Sequence, residues 1–197
     1  MKLVRVTLAT LLVAATISGL AGCAAAVVGG AAAGAVIAHD RRTTGTIVED
    51  QAIELRAGER LRSDPEIAQQ THINVTSYNQ VVLLSGEAPS AALRDRAGEL
   101  VRQDEKVREV YNELMIAAPS AMSSRSSDTW LTTKVKTALV NVPEVEGFDP
   151  TRVKVVTERG VVYLFGLLTH AEADAVTETA RRVGGVQRVV RLFEYLD

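Results

Sequence analysis

The chain repeats itself at a spacing near 80 residues, and any fold it adopts must hold two copies of one unit. Residues 73–86 (INVTSYNQVVLLSG) match residues 153–166 (VKVVTERGVVYLFG) at an offset of 80. Asp50 and its helix match Asp128 and its helix at an offset of 78, and Val107 and Val110 match Val186 and Val189 at 79. A period this long is a domain duplication rather than a solenoid unit.

Each copy reads as α-β-β-α-β. An amphipathic helix comes first, with Ile53, Ala57 and Leu61 on one face in the first copy and Leu131, Val135, Ala138, Leu139 and Val142 in the second. Asp64-Pro65 and Val142-Pro143 stop these helices, because proline disfavours helix in the residue before it. Two β runs follow, split by turns at Asn79-Gln80 and Arg159-Gly160, and Gly86 and Gly166 close the second run. A second helix carries Leu93, Ala97, Leu100 and Val101, or Ala173, Val176, Ala180 and Val183 after the capping-box spacing of residues 169–172. A last strand spans 107–116 or 186–196. The predicted class is α+β, two tandem modules with two helices packed on a small three-stranded sheet. Apolar side chains on both pleat faces of residues 161–165 point to a second buried surface, between the modules.

The first 22 residues have a basic start (Lys2, Arg5), an apolar run and small residues before Cys23, which is a secretory signal. Leu20-Ala21-Gly22-Cys23 resembles the lipobox of bacterial lipoproteins, in which cleavage precedes the cysteine and the cysteine carries the lipid. Ala24 in place of aspartate after it favours, by resemblance to Gram-negative sorting, the periplasmic face of the outer membrane. As the sole cysteine, Cys23 excludes an internal disulfide. The organisation expected is a signal peptide over 1–22, a lipidated cysteine and Ala/Gly-rich tether over 23–46, modules over 47–117 and 128–197, and a Ser/Ala/Pro linker over 118–127.

Little in the sequence suggests chemistry. After signal removal 20 basic residues face 24 acidic ones, and aromatics make up 4%, a composition unsuited to nucleic acid. His39, His72 and His170 are scattered, and His170, Glu172 and Asp174 diverge around a helix, so neither a metal site nor a cofactor is expected. The linker serines sit in no strand-turn-helix elbow. No catalytic residue and no enzymatic activity is expected.

A binding surface does have a signal. Placed at about 100° per residue, Trp130 and Val140 fall opposite the apolar stripe of their helix, with Thr133, Lys136 and Thr137 on the same outer arc and Lys134 at its flank. The first copy has Ala52 where the second has Trp130, the only tryptophan. Charges separate the copies too: 8 basic against 13 acidic over residues 45–118, and 9 against 10 over 126–197. Tryptophan favours a bilayer interface and lysine stems snorkel, so the expected partner is an anionic phospholipid membrane. Two other readings stay open: Trp130 staples the second module to the linker or to the first module, or the protein is a periplasmic adapter binding polypeptide on the exposed sheet of the first module.

The α-β-β-α-β repeat, the VVLLSG and VVYLFG strands and the valine-rich last strand resemble the BON domain. Two such domains behind a lipobox, with DTWLTTKV in the second, resemble the DolP family of dual-BON outer-membrane lipoproteins. The resemblance implies a non-enzymatic protein that supports outer-membrane integrity, binds anionic phospholipid through its second BON domain and gathers at division sites; a monomer is expected. It also implies a link to the machinery that assembles outer-membrane β-barrels.

Overall fold

The computed structural model describes residues 40–119, 122–142 and 145–197; the signal segment, Cys23 and the residues up to His39 lie outside them. Each module is organised around a β-hairpin: β1 (His72–Tyr78) with β2 (Val81–Ala88), and β5 (Val153–Glu158) with β6 (Val161–Leu168). Both hairpins close through two-residue turns with positive φ at both positions, 50° and 66° at Asn79 and Gln80, 49° and 75° at Arg159 and Gly160. This turn matches the right-handed twist of paired strands. Gln80 and Arg159 are unfavourable there, and a carboxylate from the preceding helix holds each turn. Asp50 accepts from the backbone N–H of Asn79 and of Gln80, both at 2.8 Å. Asp128 accepts from Arg159 N–H at 2.8 Å and Gly160 N–H at 3.0 Å.

In the first module α1 (Thr44–Ser63) and the short α2 (Pro65–Gln70) precede the hairpin, and α3 (Ala91–Arg102) follows it. Asp64 ends α1 and then caps α2, its side chain accepting from the N–H of Glu66 and Ile67. The third strand lies parallel to β2 and is interrupted: β3 (Glu109–Asn112) and β4 (Met115–Ile116) both pair with β2. In the second module α4 (Met122–Ala138) leads into the hairpin, α5 (His170–Arg181) crosses over, and β7 (Arg188–Tyr195) runs parallel to β6. The capping box at Thr169 and Glu172 is formed. Helices cover one face of each sheet, around Ile53, Ala57, Val82 and Leu84 in the first module and Val135, Leu139, Val162 and Leu164 in the second. The α+β class and the element order agree with the sequence reading.

The other faces of the two sheets meet each other. Tyr78, Val81 and Leu83 join Tyr163, Phe165 and Leu192 in a third buried cluster, and the Tyr78 and Phe165 rings lie 5.8 Å apart. A polar rim surrounds it: Lys154 Nζ donates to Glu54 and to Ser77 O at 3.0 Å each, and Asn79 Nδ2 donates to Glu194 at 2.8 Å. The two-sided apolar character of β6 has its cause here, one face serving its own helices and the other the neighbouring module.

Four expectations change. Gly86 and Gly166 lie inside β2 and β6 rather than at their ends; a Cβ on Gly86, at φ +118°, would stand 2.1 Å from His72 O. Helix α4 starts at Met122, within the stretch read as linker, because Asp128 serves the hairpin turn instead of the helix end. Residues 41–46, read as tether, are held in the folded unit. Arg41 bonds Glu172 at 2.6 Å, Arg42 bonds Asp50 at 2.7 Å and lies 3.9 Å over the Tyr78 ring, and Thr43 caps α1. Finally, the sheet of the first module is not exposed: Leu83 is fully buried and Tyr78 is 4% exposed.

Candidate functional site

Leu131 and Val135 of helix α4, and Leu139 of the 3₁₀ turn that follows it, are buried in the second module's core. That leaves the opposite side of the helix and the 3₁₀ turn after it to solvent, and Trp130 and Val140 are each 63% exposed there. For Trp130 the stapling alternative fails on this exposure, and the modules are joined through the Tyr78–Phe165 cluster instead.

Lys134 differs from its expected place at the flank. It is half-buried, its Nζ sits 4.3 Å from the centre of the Trp130 ring, and it donates to Gly184 O. A cation over an indole face contributes about 0.5–1 kcal/mol at an exposed site, so the pair favours this position of the ring. Thr133 and Thr137 are exposed, but their hydroxyls bond back to Thr129 O at 3.1 Å and Thr133 O at 2.9 Å. Lys136 is exposed. Trp130, Thr133, Lys136, Thr137 and Val140 thus form one exposed face, with Lys134 drawn to its edge.

Two depressions share Gly184 in their walls. One, of about 880 Å³, is lined by Trp130, Met115, Arg159, Gly185 and Gln187 among others. The other, of about 420 Å³, is lined by Thr133, Lys134, Thr137, Ala138 and Val183 with Gly184. The loop of residues 184–185 lies against α4, and Gly185 takes a φ of +109° that side-chain-bearing residues rarely adopt. Sequence reasoning missed this loop; its Gly-Gly pair was the available signal. Indole, cations and shallow basins together make an open surface rather than an enclosed ligand pocket.

The first module's equivalent face differs. Arg56, aligned with Lys134, is tied to Asp104 at 2.6 Å and Glu49 at 2.9 Å, and the Arg56 hydrogen bond holds the Asp104 carboxyl below its usual range. Val48 and Leu55 are exposed there among acids, with no aromatic.

Of the histidines, His170 opens α5, stacks on Tyr195 at 4.1 Å and pairs with Asp197 at 2.7 Å. His72 was read as isolated, yet the fold places it with Glu87 of its own module and Glu158 of the other, their ligand atoms within 4.8 Å of one another. Separations of 15 and 86 residues hid this grouping.

The BON domain model matches residues 49–118 and again 127–197. The chain is 39% identical over 178 residues to outer membrane lipoprotein DolP of Haemophilus influenzae, covering 90% of this chain and 91% of that protein. It is 39% identical over 158 residues to a 21 kDa hemolysin of Actinobacillus pleuropneumoniae, covering 80% of each. It is 29% identical over 161 residues to osmotically-inducible protein Y of Escherichia coli, covering 80% of this chain and 78% of that one. Two BON domains and these identities make the chain a member of the DolP family of dual-BON outer-membrane lipoproteins.

Proposed function

We propose that the protein is a non-enzymatic, lipid-anchored component of the periplasmic face of the outer membrane, and that the outer face of α4 docks on anionic phospholipid. The observation carrying this reading is Trp130, 63% exposed beneath a lysine, on a helix whose core face is otherwise complete. Lysine near an anionic leaflet contributes about 1 kcal/mol, so Lys134, Lys136 and one indole make a weak site for a free protein. A lipid on Cys23 holds the module at an effective concentration on the order of millimolar, at which a weak site fills. Anchor and helix then divide the work: one attaches, the other orients the domain and selects lipid. The wider role in membrane integrity, at division sites, and beside the β-barrel assembly machinery rests on family resemblance. The adapter alternative loses the sheet it was to use, since that face is buried against the second module.

Trp130, as the sole tryptophan, reports directly. Its emission should shift to the blue on adding vesicles containing phosphatidylglycerol and stay unchanged with phosphatidylcholine alone. Trp130→Glu should lose co-flotation with the anionic vesicles. Emission indifferent to both vesicles would overturn the reading, and binding of unfolded barrel peptides without lipid would favour the adapter.

A further inference from the structure

The face that β1 and β2 turn towards the second module changes character along its length. Leu83 belongs to the inter-module core, but Ser85 and Glu87, the next residues on that pleat face, are polar and fully buried. In the hairpin register Asn74 stands opposite Ser85, and His72 opposite Glu87. The second module contributes Glu158, the last residue of β5, 6% exposed.

His72 Nδ1 lies 3.1 Å from Glu87 Oε2, Asn74 Nδ2 donates to Glu158 Oε2 at 2.9 Å, and Arg159 approaches Glu87 Oε1 at 3.4 Å. Buried carboxylates need a partner charge or a metal. Among the described residues the one side chain that hydrogen-bonds Glu158 is a neutral amide, and burial pushes its carboxyl above the usual range. The Arg159–Glu87 contact is longer than the roughly 2.7–2.9 Å of a strong charge-assisted bond. On the same pleat face the Ser85 hydroxyl is buried with no hydrogen-bond partner. Two carboxylates, an imidazole and an orphaned hydroxyl thus share a dry seam, and Glu158 has no cationic hydrogen-bond partner among the described residues.

We propose that His72, Glu87 and Glu158 form a divalent-cation site of the zinc type that clamps the two modules together. One imidazole and two carboxylates suit zinc with a fourth position left for water. Bonds of about 2.0–2.2 Å put tetrahedral ligands roughly 3.4 Å apart, so the present spread, within 4.8 Å, needs only side-chain closure. The ion neutralises both carboxylates and releases Arg159 from Glu87. Asn74 holds Glu158 in orientation from behind, and the Ser85 hydroxyl is left as a donor on the same face.

The test uses the full-length protein in detergent, stripped with chelator and titrated with Zn²⁺ by calorimetry and thermal unfolding, and with Co²⁺ by visible absorption. One ion per chain should bind saturably, raise Tm, and give the absorption bands of four- or five-coordinate Co²⁺. Glu158→Gln and His72→Gln should each abolish the Tm rise and the bands, while His170→Gln leaves both intact. Asn74→Ala should weaken binding roughly 10–100-fold, as losses behind a ligand do. Glu158→Gln keeps the side chain's shape and its acceptor for Asn74, so it decides the matter if His72→Gln fails to fold. Absence of saturable Zn²⁺ and Co²⁺ binding, or binding undiminished in Glu158→Gln, overturns the site.

Discussion

Asp50 accepts from Ser77 Oγ at 2.7 Å and from the Asn79 and Gln80 N–H groups at 2.8 Å each, and pairs with Arg42 at 2.7 Å. Asp128 does the same for the second hairpin with the two turn N–H groups alone. Asp50→Ala removes the acceptor of the Ser77 hydroxyl and of two turn N–H groups together with the carboxylate facing Arg42, and should cost about 3–5 kcal/mol. Asp128→Ala strands two backbone donors and should cost about 1–3 kcal/mol. Urea unfolding of both variants checks the order; equal losses would refute it. The repeat made both aspartates conspicuous in the sequence, but not their task, because the turns they hold lie about 30 residues further on. Glu158 carries a second prediction at this scale. Burial raises its carboxyl pKa in the folded state, so folding favours its protonated form. Stability is therefore lost as pH rises from the unfolded value through the folded one. In chelator at neutral pH, Glu158→Gln should raise Tm, by roughly 2–4 °C for each kcal/mol recovered. The gain should fade as pH falls below the ordinary glutamate range, and a gain constant with pH would sink this account.

The helix α4 shows how far an apolar stripe alone carries. Spacing identified the side buried at Leu131, Val135 and Leu139, and therefore the side left over. Spacing said nothing of where the helix begins, since the serines of residues 123–127 read as linker, nor of Lys134, whose partner Gly184 lies 50 residues away. The distinction between α4 and α1 is electrostatic as much as aromatic. Around Ala52, α1 carries five acids against three arginines over residues 49–64, whereas residues 128–141 hold one acid against two lysines. Adding Ala52→Trp to a Trp130→Ala protein should therefore fail to restore flotation with anionic vesicles. Lys136→Ala should weaken vesicle binding about fivefold, one lysine's worth of about 1 kcal/mol. Lys134→Ala should weaken it and also loosen the Trp130 ring, visible as a fall in tryptophan anisotropy before any lipid is added. Restoration by Ala52→Trp would place the specificity in the indole alone.

Two modules of roughly 70 residues are each near the lower limit for an independent core, and here neither stands alone. Each sheet has helices on one face and the other sheet on its second, so the molecule is layered helix, sheet, sheet, helix. The two-sided apolar run of β6 made a second buried surface legible, but its partner residues, Tyr78, Val81 and Leu83, are as well explained by a single module's core. Phe165, fully buried, is the side chain with most at stake in that seam. Phe165→Ala should cost about 3–5 kcal/mol, lowering Tm by roughly 6–20 °C at the scaling for a protein of this size. Its cost should fall on the coupling between modules, whereas Leu164→Ala, one residue away on the opposite pleat face, should damage the second module's own core. Calorimetry separates these outcomes. The intact protein should unfold in one cooperative transition, and Phe165→Ala should broaden or split it, while Leu164→Ala should lower it without splitting. Two resolved transitions in the intact protein would show that the sheets touch without folding as one body.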